Sequence, residues 1–149
     1  MPRSLFPIAL FVFSAVLLSA CSSSDARSHD LVMYKTPTCG CCEFWAVHLE
    51  DNGFNVKRED LNNLALTKMQ HGVPPHLSSC HTGVVDGYVV EGHVPADVID
   101  RMLKERPDIR GLAVPGMPIG SPGMEGPNPQ PYDVLALMHD GSTQVYATR

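Results

Sequence analysis

The sequence is short of positive charge. Lysine and arginine total 11 against 16 acidic residues, a formal net charge of −5 over 149 residues, and no basic run occurs anywhere. A protein that grips a phosphate backbone needs a cationic patch or stripe. Nucleic acid is therefore excluded as a partner, and so is membrane attachment through a basic face. Internal repeats are absent too, which excludes solenoid and propeller architectures. Long apolar runs are missing apart from Leu5 to Leu18 at the start, and that run is too short to be read as a membrane-spanning helix.

That start is itself informative. Arg3 supplies a short positive region ahead of the apolar run, and Leu18-Ser19-Ala20 sets small residues before Cys21. The pattern predicts a signal peptide over residues 1–20. A cysteine at the cut, followed by Ser22-Ser23-Ser24, resembles bacterial lipoproteins. The resemblance implies lipidation of Cys21, a serine-rich spacer over 21–29, and a folded domain over 30–149. Serine after the cysteine, with no aspartate there, resembles lipoproteins sorted to the outer membrane, so the expected location is the periplasm, anchored to that membrane. Removing residues 1–20 takes away Arg3 and no acid, which moves the formal charge to −6. What remains fits one compact domain with a single core.

Of the five cysteines, four are left once Cys21 carries lipid: Cys39, Cys41, Cys42 and Cys80. An exported chain can pair its cysteines as disulfides. Three within Cys39-Gly40-Cys41-Cys42 lie too close together to staple different parts of a fold. The spacing points to reactive or metal-binding thiols.

Periodicity gives the elements that carry them. Residues 30–36 read as a buried strand, broken by Pro37. Cys41, Phe44, Trp45 and Leu49 recur at the helical period, and Asn52-Gly53 ends that helix. Phe54 to Glu59 alternates as a half-buried strand does. Asp60 can cap a second helix with Leu61, Leu64, Ala65 and Met69 on one face, ended by Gly72. Thr82 to Gly92 reads as two strands joined at Asp86-Gly87. Pro95 suits the first position of a third helix bearing Val98, Ile99, Met102 and Leu103, stopped at Pro107. The stretch after Gly111, dense in glycine and proline, is expected to be a loop with little regular structure. A loop of that length in a compact domain usually has a function or is disordered. A closing hairpin is expected over 132–139 and 144–148, around Asp140-Gly141.

The fold class is thus α/β, in the order β-α-β-α-β-β-α. With a cysteine pair at the first strand-to-helix turn, it resembles the thioredoxin fold. In that topology the third strand runs antiparallel to the first, which brings Cys80-His81 to the Cys39 cluster. Thioredoxins place a cis-proline at this junction; here residues 78–82 hold no proline and a fourth thiol instead. The end of the fourth strand returns to the same edge and makes His93 a further candidate ligand. His81 is expected to point away if Cys80 points in, because neighbours on a strand face opposite ways. His29, His48, His71, His76 and His139 have no comparable placement and are expected at the surface. Met117 and Met124 lie in the Gly/Pro loop, which is long enough to fold over the cysteine edge as thioether ligands or as a lid.

At a helix N-terminus, unpaired N–H groups and the helix dipole favour a thiolate. Thiolates and thioethers select soft ions, Cu(I) above all, with zinc and iron–sulfur centres as competitors. Zinc could use Cys39, Cys42 and Cys80 with His93 or Cys41, but adjacent Cys41 and Cys42 diverge on a helix, which hinders a regular tetrahedron. If each of four thiolates bridges two ions, they hold about four Cu(I) ions.

Four blocks in order, Tyr34 to Cys42, Ser79 to Thr82, Glu91 to Pro95, and Gly111 to Pro118 with Gly120 to Glu125, resemble the CopG-type periplasmic copper-resistance proteins, small thioredoxin-like metal-binding proteins. The resemblance implies copper binding, a part in copper resistance, and Cys39, Cys41, Cys42 and Cys80 as the copper ligands. Copper is then the expected bound metal, held as Cu(I) and open to cycling with Cu(II), with an envelope redox or copper-handling partner. No catalytic residue follows from the sequence. Two other readings stand beside this one: a thiol-disulfide oxidoreductase using Cys39-x-x-Cys42, and a passive copper chaperone or zinc-binding module.

Overall fold

The computed structural model describes residues 28–149; the expected signal peptide, Cys21 and most of the spacer lie outside the described residues. Strand β1 (His29–Lys35) leads into helix α1 (Gly40–Asp51), then β2 (Phe54–Asp60), α2 (Ala65–Gln70) and a single 3-10 turn over Pro75–Leu77. The hairpin β3 (Thr82–Val85) and β4 (Tyr88–Glu91) follows, then α3 (Ala96–Glu105), β5 (Gly111–Ala113), β6 (Asp133–Leu137) and β7 (Thr143–Thr148). The expected β-α-β-α-β-β-α order is therefore present. All strands join one seven-stranded sheet, ordered β2-β1-β3-β4-β5-β6-β7.

Register positions the cysteines. β1 pairs parallel with β2, and antiparallel with β3 through Tyr34↔Thr82 and Leu31↔Val85. The end of β1 and the start of β3 are thereby neighbours, so the segment leaving β1 toward Cys39 meets the segment bringing Cys80 into β3. β4 returns antiparallel, with Glu91 opposite Thr82. Gly92-His93 consequently leaves the sheet at the same edge.

One face of the sheet carries the main core. Leu31 and Met33 of β1, Val85 of β3, Val90 of β4 and Leu112 of β5 pack with Trp45, Ala46 and Leu49 of α1 and Ile99 and Met102 of α3. Gly83 lies under this packing: a Cβ there would sit in van der Waals contact with Leu31 and the Trp45 ring at 3.4 Å. Leu77, Ala113 and Leu137 make a smaller cluster.

Three expectations are corrected. The buried face of α1 is Cys42, Trp45, Ala46 and Leu49, while Phe44 is 65% exposed; both sets fit the helical period, and α1 is rotated by one residue relative to the expected face. Asp60 does not cap α2. It ends β2, its carboxylate engages Lys35 at 2.8 Å, and the Asn63 side chain accepts from the Ala65 N–H instead. On that helix Lys68 takes the buried position and Met69 is 68% exposed. Finally, residues 111–113 are a strand between β4 and β6. Gly111 starts it because a side chain there would drive into the Val89 carbonyl. Three residues bounded by Gly and Pro are too short to show a strand period.

Candidate metal centre

The turn from β1 into α1 sets the first three thiols. Cys39 N donates to Thr36 O at 3.1 Å, which closes the Pro37-Thr38 turn. Cys39 occupies the N-cap of α1 with no side-chain cap bond, so its sulfur is free of the helix backbone. Cys42 is buried, whereas Cys39, Cys41 and Cys80 are part-buried against the core. Cys39 and Cys42 are joined as a disulfide with Cα atoms 5.4 Å apart, and Cys41 and Cys80 are free thiols. Cys41 Sγ lies 3.6 Å from Cys39 Sγ and 3.9 Å from Cys80 Sγ. All four sulfurs fall within 4.8 Å of one another.

Cys80 has a second set of neighbours. Its Sγ lies 3.0 Å from His93 Nε2 and 3.2 Å from His81 Nδ1. His93 thus sits where strand direction puts it. His81 does not point away as expected. Thr82 is the first residue of β3 and Cys80 lies in the bend before it. Alternation begins only inside the strand, so His81 and Cys80 converge. The His81 ring stacks on Trp45 with centroids 4.2 Å apart and meets His93 edge-on at 5.1 Å.

Burial sets the protonation of these groups. Desolvation, reinforced by Cys41, pushes the Cys80 thiol up to about 12. Desolvation, aided by His93 and Lys68, holds His81 well below the ordinary imidazole value. Burial also lowers His93, against the opposing pull of the Pro122 carbonyl and Glu125. Both imidazoles are neutral near pH 7, and each offers one lone pair. His93 Nδ1 donates to Pro122 O at 2.7 Å; a carbonyl only accepts, so the lone pair is on Nε2, facing Cys80.

The Gly/Pro loop covers the site. Gly123 (φ +82°) lies so close that a Cβ would meet Cys41 O and Trp45 N at 2.7 Å and His93 Nδ1 at 3.3 Å. Glu125 accepts from Gly123 N at 2.8 Å, and Ser79 Oγ donates to Gly116 O at 2.6 Å. The loop is therefore tied down on both sides of the thiols. Met117, next to Gly116, is 52% exposed; Met124 is part-buried.

Among the histidines expected at the surface, His76 and His139 are exposed, His29 and His71 are part-buried, and so is His48. His48 Nε2 accepts from Ala96 N at 3.1 Å, capping α3. Sequence reading also missed the support beneath Cys80. Glu91, fully buried, accepts from Lys68 Nζ (2.5 Å), Ser79 N (2.5 Å) and Thr82 Oγ1 (2.7 Å). A glutamate closing an apolar strand, and a lysine four residues after Leu64 in an apolar register, were the available signals.

The match to known proteins falls on these residues. Residues 77–124 match a family model described as "Protein of unknown function, DUF411". No curated protein matches the sequence. Two solved chains, named copper resistance protein CopG in its form 2 and form 1, are each 45% identical to this one. The form 2 match has a TM-score of 0.78 and covers 82% of this chain and 98% of that one. The form 1 match has a TM-score of 0.76 and covers 80% and 96%. With that identity over nearly the full length of both solved chains, this protein belongs to the CopG copper-resistance family.

Proposed function

We propose that the protein binds copper in the cell envelope and contributes to copper resistance, holding Cu(I) on Cys39, Cys41, Cys42 and Cys80. One observation carries the reading: the four sulfurs lie within 4.8 Å of one another at the edge of the sheet. Thiolates of that density suit a soft monovalent ion, and bridging thiolates suit several. The covering loop supports retention by packing Gly123 against Cys41 and His93 beside the part-buried sulfurs. Export and anchoring through Cys21 complete the proposal and rest on the lipoprotein-like start of the chain.

The Cys39–Cys42 disulfide supports a redox element within this function. Two Cu(II) ions can each take one electron from the Cys39/Cys42 dithiolate, giving two Cu(I) ions and the disulfide. A dithiol donor of the envelope would restore the thiols. Anaerobic titration of the reduced protein with Cu(I), alongside a free-thiol count, tests the binding. Saturation is expected to consume all four thiols. Unchanged stoichiometry in a Cys39→Ser, Cys42→Ser, Cys80→Ser protein would overturn it.

The same disulfide favours one competing function, thiol-disulfide exchange with Cys39 as attacking and Cys42 as resolving thiol. Insulin reduction that persists after copper is stripped would select it.

A further inference from the structure

Beside α2 lies a groove of about 610 Å³, a volume within the range of small-molecule sites. One wall is the face of α2 and its closing turn that carries Ala65, Met69 and Gly72; the other is the chain returning through Pro74 and Pro75 to Ser78. From Ala65 to Gly72 the wall runs roughly 10 Å, at the helical rise per residue. None of the proposed copper ligands lines it.

The walls have few main-chain donors to offer. Pro74 and Pro75 carry no N–H. The N–H of Ala65 is taken by Asn63 Oδ1, that of Lys68 by Leu64 O, that of Gly72 by Met69 O, that of Val73 by Lys68 O and that of Ser78 by Pro75 O. An extended peptide needs main-chain partners in its groove. A methylene chain needs only apolar contact.

One end of the groove is cationic. Gly72 has φ +70°, and the Arg110 guanidinium occupies the place its Cβ would take, with Nη1 2.7 Å and Nε 2.9 Å from that position. Nη2 donates to His139 O at 3.0 Å. Among the described residues, every other lysine and arginine has a carboxylate within ion-pair distance, and Arg110 has none. Asp108, two residues away, faces His139 Nε2 at 3.2 Å instead. The other cation at the groove is committed: Lys68 Nζ turns inward to Glu91, Thr82 Oγ1 and His81 O.

We propose that this groove binds a straight-chain monocarboxylate of medium length, with its methylenes along α2 and its carboxylate on Arg110. The apolar wall without free N–H groups selects the chain, and the guanidinium without an acidic partner selects the anionic end through charge-assisted hydrogen bonds. Met69 at the rim lets the groove adjust to the chain, as an unbranched thioether does. Association is non-covalent, and the carboxylate keeps its charge.

The test uses the exported chain, residues 21–149, with Cys21→Ser so that no attached lipid competes. Decanoate is expected to shift the amide resonances of Ala65 to Ser78 and the Arg110 Nε–H saturably, with one molecule per chain. Octanoate should bind more weakly, by about fourfold per methylene removed from contact. Arg110→Met keeps the side-chain stem and drops the charge. It should weaken decanoate by about tenfold or more, the scale of a hydrogen bond to a charged group, and leave decanol unchanged. Absence of a saturable shift at these amides, or equal decanoate affinity in Arg110→Met and parent, overturns the proposal. A peptide ending in leucine that binds more tightly than decanoate also overturns it and gives the groove to a partner chain. Concentration-dependent shifts of the same amides without any probe overturn it in favour of a second copy. If Arg110→Met does not fold, the parent decides: decanoate bound more tightly than decanol supports the site, and the reverse order overturns it, because an apolar groove without a usable cation favours the alcohol.

Discussion

Lys68 Nζ lies 2.5 Å from Glu91 Oε1, and the Glu91 carboxylate has no solvent exposure. The same carboxylate takes the N–H of Ser79 and the hydroxyl of Thr82, and so holds the chain on both sides of Cys80. Removing one member strands a buried charge. Lys68→Met is therefore expected to cost about 3–5 kcal/mol, whereas Lys68→Met with Glu91→Leu costs less, because no charge remains unpaired. Urea unfolding of the three proteins measures this. Glu91→Gln keeps an acceptor for Ser79 N, and it is expected to retain Cu(I) better than Glu91→Ala when a competing chelator is added.

Gly123 is held by its surroundings rather than by its own sequence neighbours. Its positive φ and the 2.7 Å approach of Cys41 O leave no room for a methyl group. Gly123→Ala is expected to lift the loop and leave the core packed, at a cost of roughly 1–3 kcal/mol. The Pro122 O bond to His93 loosens with it. Transfer of Cu(I) to a chelator should accelerate, with little change in the far-ultraviolet spectrum. An unchanged transfer rate would remove the loop from any role in retention.

What could be read from the sequence is what depends on local pattern. The Cys39 to Cys42 spacing, the Asp86-Gly87 turn and the apolar stripe of α3 each lie within a single element, and strand direction then added Cys80 and His93. Interactions between elements left weaker traces. Asp60 has the chemistry of a helix cap, but Lys35, arriving from β1, claims its carboxylate. Gly111 begins a strand only because β4 passes against it. His81 was assigned by an alternation rule that holds inside β3, while Cys80 sits one step outside it. Glu91 and Lys68 each look like ordinary surface charges until the sheet and α2 bring them together.

Trp45 joins the core to the site. Its indole Nε1 donates to Val94 O at 2.8 Å, and its ring carries His81. Trp45→Phe keeps an aromatic face but leaves the Val94 carbonyl without its donor in a buried place. A loss of about 1–3 kcal/mol is expected, read from thermal or urea unfolding. Trp45→Ala also opens a cavity and should cost about 3–5 kcal/mol. The phenylalanine variant should still bind Cu(I) at parent stoichiometry, since no sulfur has moved.

Acid should destabilise the metal-free protein well above the range in which carboxylates titrate. Burial holds His81 below its ordinary value of 6.5, and His93 and His48 shift the same way for the same reason. The unfolded chain accepts protons below about pH 6.5 that the folded chain refuses, so stability present above that value is lost as pH falls toward the folded values. The slope from one fully buried group reaches about 1.4 kcal/mol per pH unit. Glu43, Glu50 and Glu125 are themselves lowered, by Lys35, Arg58 and the Gly123 N–H respectively, from 4.5, so their contribution disappears only at more acid pH. Urea midpoints measured in steps from pH 7.5 to 5.5, a range chosen to bracket the ordinary imidazole value, isolate the histidine effect. A steady fall is expected in the parent protein and a shallower one in His81→Gln. A flat profile in the parent would mean that the imidazoles take up protons without opening the fold, and would place water at the Trp45–His81 stack.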